Sequence, residues 1–484
     1  MKISLIMPVA KFYGSDAESV PPYAILYIGS ALKKAGYDVK IFHDSDINKT
    51  VASVLAFNPD VVGISAFTGY PVKLACDYAK EIKKAQAGMK IVLGGYHATM
   101  LPSQVLEDPW FDFAVVGEGE ETIVELTDAL KRGETDFSNI KGLWWKNGKN
   151  VVSNPRRNLP KFIDYDIDWS LVDLSKYTKK VSHLGGKRYF YIFSSRGCPY
   201  NCSFCAGAFL YKQNYRKESA EHVIGQYRKI LDRYDVELVE YLDDNFFVDL
   251  EWAEKVTKGI GRPYRALIRL DRINEKVCEL LNETRCRAIF VGIESGNERI
   301  RNNIMNKRLS NEVIYNAVKL MAKKCPNINI SAMFIGGIPG EKYDEFRDTC
   351  KMAINLTEAN PRVLPQFNVY APYPYCKSYM DAVAAGWTPP SKTEDWILDS
   401  KPGKSVDAVW LKHYSKRLMS KFKWTAVLFL LLRKENNLTG TKRFLKDVLR
   451  WIAVFRLYTD FYYFPFEMRI FWLYYMHMIR GDVI

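Results

Sequence analysis

Three cysteines, Cys198, Cys202 and Cys205, share the run Arg196-Gly197-Cys198-Pro199-Tyr200-Asn201-Cys202-Ser203-Phe204-Cys205. No other feature restricts the fold so strongly. Three thiols on one short loop cannot all pair with one another, so a disulfide reading is weak. The C-x3-C-x2-C spacing suits three irons of a [4Fe–4S] cluster and leaves the fourth iron open to a substrate or cofactor. A purely structural metal site would normally close its coordination shell. Zinc held by the three cysteines and a histidine is the alternative. His183 and His222, the nearest candidates, lie outside the usual ligand spacings. Buried structural thiols are the remaining alternative and rank behind zinc. The other six cysteines (Cys76, Cys278, Cys286, Cys325, Cys350, Cys376) are scattered. An odd, dispersed total argues against a disulfide framework and for a reducing, cytoplasmic compartment.

With 484 residues, the chain has length for two or three cores. Residues 1–8 read as a first strand rather than a secretory leader. Across 1–135, strands are expected at 2–7, 39–42, 61–65, 91–93 and 113–115. Helices are expected at 24–35, 52–57, 72–85 and 120–131. This alternation predicts an α/β fold with a doubly wound, Rossmann-like parallel sheet, which binds ligands at its strands' carboxyl ends. The loops at those ends are Ser65-Ala66-Phe67-Thr68, Gly94-Gly95-Tyr96-His97-Ala98-Thr99 and Gly117-Glu118-Gly119-Glu120. Their glycines admit a large planar ligand, and their hydroxyls offer hydrogen bonds. Residues 136–185 read as a linker, with Asn147-Gly148, Asn154-Pro155 and Leu159-Pro160 as turn pairs and Trp144 and Trp145 as packing residues.

A second alternating series fills 186–385. Its strands are expected at 189–194, 238–242, 264–268, 288–291, 328–335 and 364–369, with helices between them. This predicts a partial β/α barrel. Its strand-end residues include Asp243, Asp244, Arg269, Glu294, Ser295, Gly336 and Gly337, where barrel enzymes place their sites. For Asp243 and Asp244, capping the next helix is a rival role.

The cysteine loop matches the signature loop of the radical S-adenosylmethionine (SAM) superfamily, and the strand ends agree. The Asp243-Asp244-Asn245, Gly292–Gly296 and Gly336–Glu341 segments resemble that family's SAM-binding motifs. The resemblance implies a [4Fe–4S] cluster on Cys198, Cys202 and Cys205. It implies SAM contacts from Phe204, Asp243, Asp244, Arg269, Glu294, Ser295, Gly336 and Gly337. The N-terminal region resembles the cobalamin-binding domain that precedes the barrel in one large branch of the family. Pro21-Pro22, the Gly-Gly-x-His-Ala-Thr loop from Gly94 and the Val-Gly-Glu-Gly-Glu turn from Val116 carry that likeness. It implies cobalamin contacts from Pro21, Ser65, Thr68, Gly94, Gly95, His97, Gly117 and Glu118. The Asp-x-His-x-x-Gly motif that supplies a histidine to cobalt in other cobalamin proteins is absent from the chain. The resemblance covers residues 1–385. It breaks where the family has Pro-x-Pro-Gly-Thr and this chain has Pro372-Tyr373-Pro374-Tyr375-Cys376. Cys376 and Tyr375 are therefore candidates for the substrate site, with Cys376 favoured as a buried side chain.

Residues 386–484 are expected to form a helical domain rich in aromatics and bases. Of the chain's formal net charge of +14, much lies in 401–484, where sixteen Lys plus Arg face six Asp plus Glu. The apolar stretch 424–432 has nine residues, well short of the roughly 20 that span a bilayer. Basic aromatic helices fit either a membrane surface or a cap on the barrel, and the charge favours the membrane's cytoplasmic face. Bases mixed with large aliphatics do not make a nucleic-acid surface. The implied activity is a cobalamin-dependent radical SAM enzyme that generates a 5′-deoxyadenosyl radical with a low-potential electron donor. It would methylate an unactivated carbon of a hydrophobic substrate, such as a lipid, isoprenoid or tetrapyrrole. Cyclisation or oxidation without methyl transfer is the alternative, and a non-catalytic cobalamin-binding regulator the remote one.

Overall fold

The computed structural model describes residues 1–10, 19–181, 186–397, 409–411, 416–434 and 440–461. The chain divides into two compact units. One holds residues 1–179 and a segment that starts at 388; the other holds 180–387 and the segment from 407.

The first unit follows the expected alternation through β1 (Lys2–Ile6), α1 (Tyr23–Lys34), β2 (Asp38–Phe42), α2 (Ile47–Phe57), β3 (Val61–Ser65), α3 (Tyr70–Ala85) and β4 (Lys90–Gly94). Two short helices, α4 (Tyr96–Met100) and α5 (Pro102–Glu107), precede β5 (Phe113–Val115) and α6 (Glu120–Lys131). The strands pair in parallel in the order β2-β1-β3-β4-β5. β1 and β3 are near-continuous apolar runs because helices cover both faces of the sheet. α3 buries Val72, Ala75, Cys76, Ala79 and Ile82, which the helical period aligns on one face. The chain leaves β1 for β2 on one side and crosses to β3 on the other. The β1–β3 crevice is therefore the switch point, where such sheets bind ligands.

Two segments differ from expectation. In the presumed linker, β6 (Leu143–Asn147) and β7 (Asn150–Ser153) extend the same sheet in antiparallel fashion. Asn147-Gly148 makes a hairpin turn there, with Gly148 at φ +62°. Trp145 is buried edge-on to Phe137 at 5.2 Å, so apolar burial rather than regular periodicity fixes this hairpin. The second departure is 388–397, which joins the first unit instead of a separate helical domain. Trp396 is buried there, and its Nε1 donates to Gln104 Oε1 at 2.6 Å. Glu394 pairs with Lys80. A large indole with its N–H satisfied is a strong anchor for a short segment.

The second unit opens with β8 (Lys180–Val181) antiparallel to β9 (Lys187–Ile192). β10 (Ser195–Arg196) and β11 (Arg216–Lys217) pair across the cysteine loop and α7 (Ala206–Tyr211). The barrel continues through α8 (Ala220–Arg233), β12 (Leu238–Tyr241), α9 (Leu250–Ile260), β13 (Tyr264–Leu267), α10 (Glu275–Glu283) and β14 (Cys286–Glu294). It ends with α11 (Asn311–Lys324), β15 (Asn329–Gly336), α12 (Tyr343–Ala359) and β16 (Val363–Val369). β9, β12, β13, β14, β15 and β16 lie side by side in chain order, all parallel, as a partial β/α barrel. Ser219, Asp249, Asn274 and Ser310 cap α8, α9, α10 and α11 through side-chain oxygens, which sets where each helix starts.

After α13 (Lys377–Ala384) come α14 (Lys416–Leu432) and α15 (Gly440–Thr459). α14 packs over β16, the edge strand, and Phe429 lies edge-on to Phe334 and Phe367 at 5.6 and 5.5 Å. The apolar stretch 424–432 is thus a cap on the barrel. Among the described residues no helix is long and apolar enough to cross a membrane. Residues 462–484, which hold many of the aromatics of the expected helical domain, lie outside the described residues.

Candidate active site

Cys198, Cys202 and Cys205 are free and half-buried on the loop between β10 and α7. That loop is fixed from outside. Ser203 N donates to Met305 O at 2.9 Å, Ser203 Oγ to Ile304 O at 2.6 Å, and Asn306 Nδ2 to Asn201 O at 2.7 Å. Its anchors lie at and just beyond a one-turn π-helix, Arg299–Ile304, that follows β14. Such insertions often mark functional sites. Arg301 holds this turn: fully buried, it donates to Leu309 O, Ser295 O and Asn311 Oδ1 at 2.6–2.7 Å.

Charge converges on the cysteines. Lys307, buried, donates to Glu294 Oε1 at 2.7 Å. Burial works against its charge, yet attraction to Glu294 and Cys202 holds its pKa above the ordinary lysine value. Arg269 forks onto Asp271, donates to Lys307 O at 2.9 Å and sits over the Tyr200 ring, its guanidinium carbon 3.8 Å from the centroid. Burial raises the Cys202 thiol pKa, while Lys307 and Arg269 pull it down. Burial likewise lifts Cys205 to about 11, against the backbone N–H groups of Ala208 and Gly207. Two buried cations beside an otherwise desolvated thiol set match the charge compensation that an anionic cluster needs. Among the described residues, no three His, Cys, Asp or Glu side chains close on a single metal ion. Thiolates that each take a separate iron need not converge so tightly, so this spread is compatible with a polynuclear cluster. His183 lies outside the described residues.

The other expected SAM contacts divide. Asp243 is buried and accepts from Ser194 N and Oγ and from Ser195 Oγ; burial raises its pKa to about 7. Asp244 sits by Cys198 and Cys205 and accepts from Gly197 N. Neither caps the next α-helix, whose cap is Asp249. Asn245 is buried, and its Oδ1 has no hydrogen-bond partner, which leaves an acceptor for a polar ligand. Glu294 has φ +70°, a strained conformation for a residue with a Cβ. Phe204 is half-buried between Cys202 and Cys205. Ser295, by contrast, turns into the core toward Thr349 Oγ1 at 3.2 Å. Gly336 is buried at the end of β15, and the N–H of Gly337 donates to Glu341 Oε2 at 2.5 Å. Ser295, Gly336 and Gly337 make hydrogen bonds to Thr349, Tyr370 and Glu341, away from the cysteine loop. Cys376 is a buried thiol 3.0 Å from Tyr373 O, whereas Tyr375 is exposed. Lys307 and Arg301 had no motif to flag them; only the fold makes them neighbours of the loop.

In the first unit the three strand-end loops are knitted together. Gly95 has φ +89°, and a Cβ there would lie 2.8 Å from Ala66 O and 3.0 Å from Ser65 Oγ. Gly94 O accepts from Ala66 N at 3.1 Å. Thr99 Oγ1 donates to Gly95 O at 2.9 Å and accepts from Gly117 N at 3.0 Å. Thr68 Oγ1 meets His97 Nδ1 at 3.1 Å. His97 is wholly buried beside the Trp396 ring, and burial lowers its pKa to about 3, so it stays neutral. Its Nε2 has no hydrogen-bond partner. Glu118 is half-buried in the third loop, and Pro21 is buried before α1. Phe67, passed over in the sequence, is 45% exposed and edge-on to Tyr96 at 4.9 Å. Tight glycines, hydroxyls and an exposed aromatic at a switch point fit a large flat cofactor with polar edges.

Residues 13–127 match the family model described as the B12 binding domain, and residues 192–353 that of the radical SAM superfamily. An uncharacterised methyltransferase of Pyrococcus horikoshii is 30% identical over 455 residues, spanning 90% of this chain and 93% of the relative. An anaerobic magnesium-protoporphyrin IX monomethyl ester cyclase of Rubrivivax gelatinosus is 27% identical over 409 residues, 79% of this chain and 70% of the relative. TsrM, a radical SAM methyltransferase of Kitasatospora setae, shares the fold with a TM-score of 0.70 at 15% identity, covering 98% of this chain and 99% of its own. With both domains in one chain and an end-to-end relative, the chain belongs to the radical SAM enzymes that carry a B12-binding domain.

Proposed function

We propose that this protein is a cobalamin-dependent radical SAM enzyme that methylates an unactivated carbon of a hydrophobic substrate. The observation that carries the reading is the cysteine loop set beside the buried Lys307–Glu294 pair and Arg269. Cys198, Cys202 and Cys205 would hold the [4Fe–4S] cluster. Lys307 and Arg269 would offset its negative charge, and Glu294, Asp244 and Asn245 would hold polar groups of SAM. Ser65, Thr68, Gly95 and Gly117 would line the cobalamin, with Phe67 as an apolar surface for it. When bound, these groups supply hydrogen abstraction and a methyl donor, with electrons from a low-potential donor. The protein binds, orients and excludes water.

Helix α15 adds a reading of where the enzyme works. Phe444, Val448, Trp451, Phe455 and Tyr458 are exposed along one face, in a region rich in bases. Such a face suits an anionic lipid surface, where a hydrophobic substrate would partition.

The test is an anaerobic assay of reconstituted protein with cobalamin, reductant, methyl-deuterated SAM and a cell lipid extract, followed by mass spectrometry. Deuteromethylated product together with 5′-deoxyadenosine and S-adenosylhomocysteine is expected, and Cys202→Ser should lose both iron and 5′-deoxyadenosine formation. 5′-Deoxyadenosine with an unlabelled, altered product would replace methyl transfer by ring closure or oxidation, the reading that the cyclase relative favours.

A further inference from the structure

The segment after β16 departs from the family pattern at one backbone position that matters. Where Pro-x-Pro-Gly-Thr has glycine, this chain has Tyr375, and the backbone there keeps φ +61°. Glycine enters that region freely, whereas a residue with a Cβ is strained in it. Strain of this kind persists where the side chain has a task, and it clusters at active sites.

The Tyr375 ring is not used to fill the core, for the residue is 48% exposed. It stacks on Phe209, with centroids 5.4 Å apart and planes 14° from parallel. Phe209 sits on α7, which begins directly after Cys205. The segment is also fastened to the cysteine loop: Ser378 N donates to Ser203 O at 3.0 Å, and the two hydroxyls lie 2.9 Å apart. Neighbouring Cys376 points the other way, into the protein. An aromatic pair with Tyr375 exposed and Phe209 half-buried, held at a cost beside the proposed cluster, is poorly explained by stability.

We infer that Tyr375 and Phe209 form a stacking platform for the substrate, which therefore carries a planar conjugated system such as a tetrapyrrole rather than a saturated lipid skeleton. Stacking rewards a flat π surface over an aliphatic one of equal area. The inference deepens the proposed function, since it rests on the cysteine loop as the reaction centre.

The test uses full-length reconstituted protein and protoporphyrin IX as the probe, with affinity measured by absorbance titration and thermal midpoints recorded in parallel. Tyr375→Gly restores the family's residue. It should weaken binding about tenfold while leaving the melting temperature equal or higher, because backbone strain is relieved. Tyr375→Phe should keep wild-type affinity, and Phe209→Ala should lose about as much as Tyr375→Gly. Unchanged affinity in Tyr375→Gly, a fall in its melting temperature, or no binding by the wild type would each overturn the platform. Iron content of the same samples separates the two ideas. Iron-free wild type counts against the reaction centre itself, whereas an iron-loaded Tyr375→Gly with unaltered affinity counts against the platform alone.

Discussion

Helices α14 and α15 come from one stretch of sequence, share its aromatics and bases, and use them in opposite ways. α14 buries Leu428, Phe429, Leu431 and Leu432 over the exposed edge of the barrel sheet. α15 turns its largest apolar groups outward, with Trp451 66% and Phe444 70% exposed. Its inward face holds Leu449, Ala453 and Leu457, and also Lys446 and Arg456. An ordinary surface helix does the reverse, with charges out and aromatics in. Composition alone therefore merges a barrel cap and a helix with an outward aromatic face into a single basic, aromatic domain.

The sharpest test of the contrast is Phe429→Ala. Phe429 is fully buried against Phe334 and Phe367. Its loss should cost roughly 3–5 kcal/mol, the usual price of a buried phenylalanine. Urea unfolding followed by circular dichroism would measure it. A loss below about 1 kcal/mol would mean that α14 does not cover the core.

A smaller effect ties the two helices together. Glu358 on α12 accepts from Lys434, just past α14, at 2.7 Å and from Arg450 on α15. Partial burial opposes its charge, but these two hydrogen bonds outweigh burial and hold its pKa below the ordinary glutamate value. A depressed carboxylate contributes stability that is present above its unfolded pKa, near 4.3, and is lost as pH falls through the folded value. Glu358 is half-exposed, so solvent limits the contribution to about 1 kcal/mol or less. Glu358→Gln should flatten the acid limb of a stability-against-pH curve by that amount. A parent and variant with superimposable curves would show that the pair does no work in solution.

Where local pattern decides structure, the sequence was readable. The parallel strands of both sheets, the glycine loops of the first unit and the cysteine loop all lie where periodicity and spacing put them. What it did not disclose depends on distant partners. Lys307 reaches Glu294 only because Arg301 holds the π-turn between them. Trp396 returns to the first unit because Gln104 and the His97 ring complete its pocket. The hairpin at Asn147-Gly148 did carry a turn signal, but a short strand pair has too few residues to show its period. Positive φ at Glu294 has no sequence mark, and at Tyr375 only the family's glycine hints at it, whereas at Gly95 and Gly117 the residue type announces it.

The smallest effect on folding should come from Trp451→Glu on the outer face of α15. Trp451 touches Phe455 in a stacked pair but fills no cavity, so stability should change by about 0.5 kcal/mol or less. Its effect on lipid should be large. Full-length protein ought to co-sediment with vesicles containing phosphatidylserine, and the variant should not, because a charge replaces an indole at the interface and repels anionic headgroups. High salt should weaken the wild-type interaction, since part of it is electrostatic. If the wild type stays in the supernatant, or the variant sediments equally well, the outward aromatics of α15 serve something other than a membrane. The two helices would then differ in burial without differing in task.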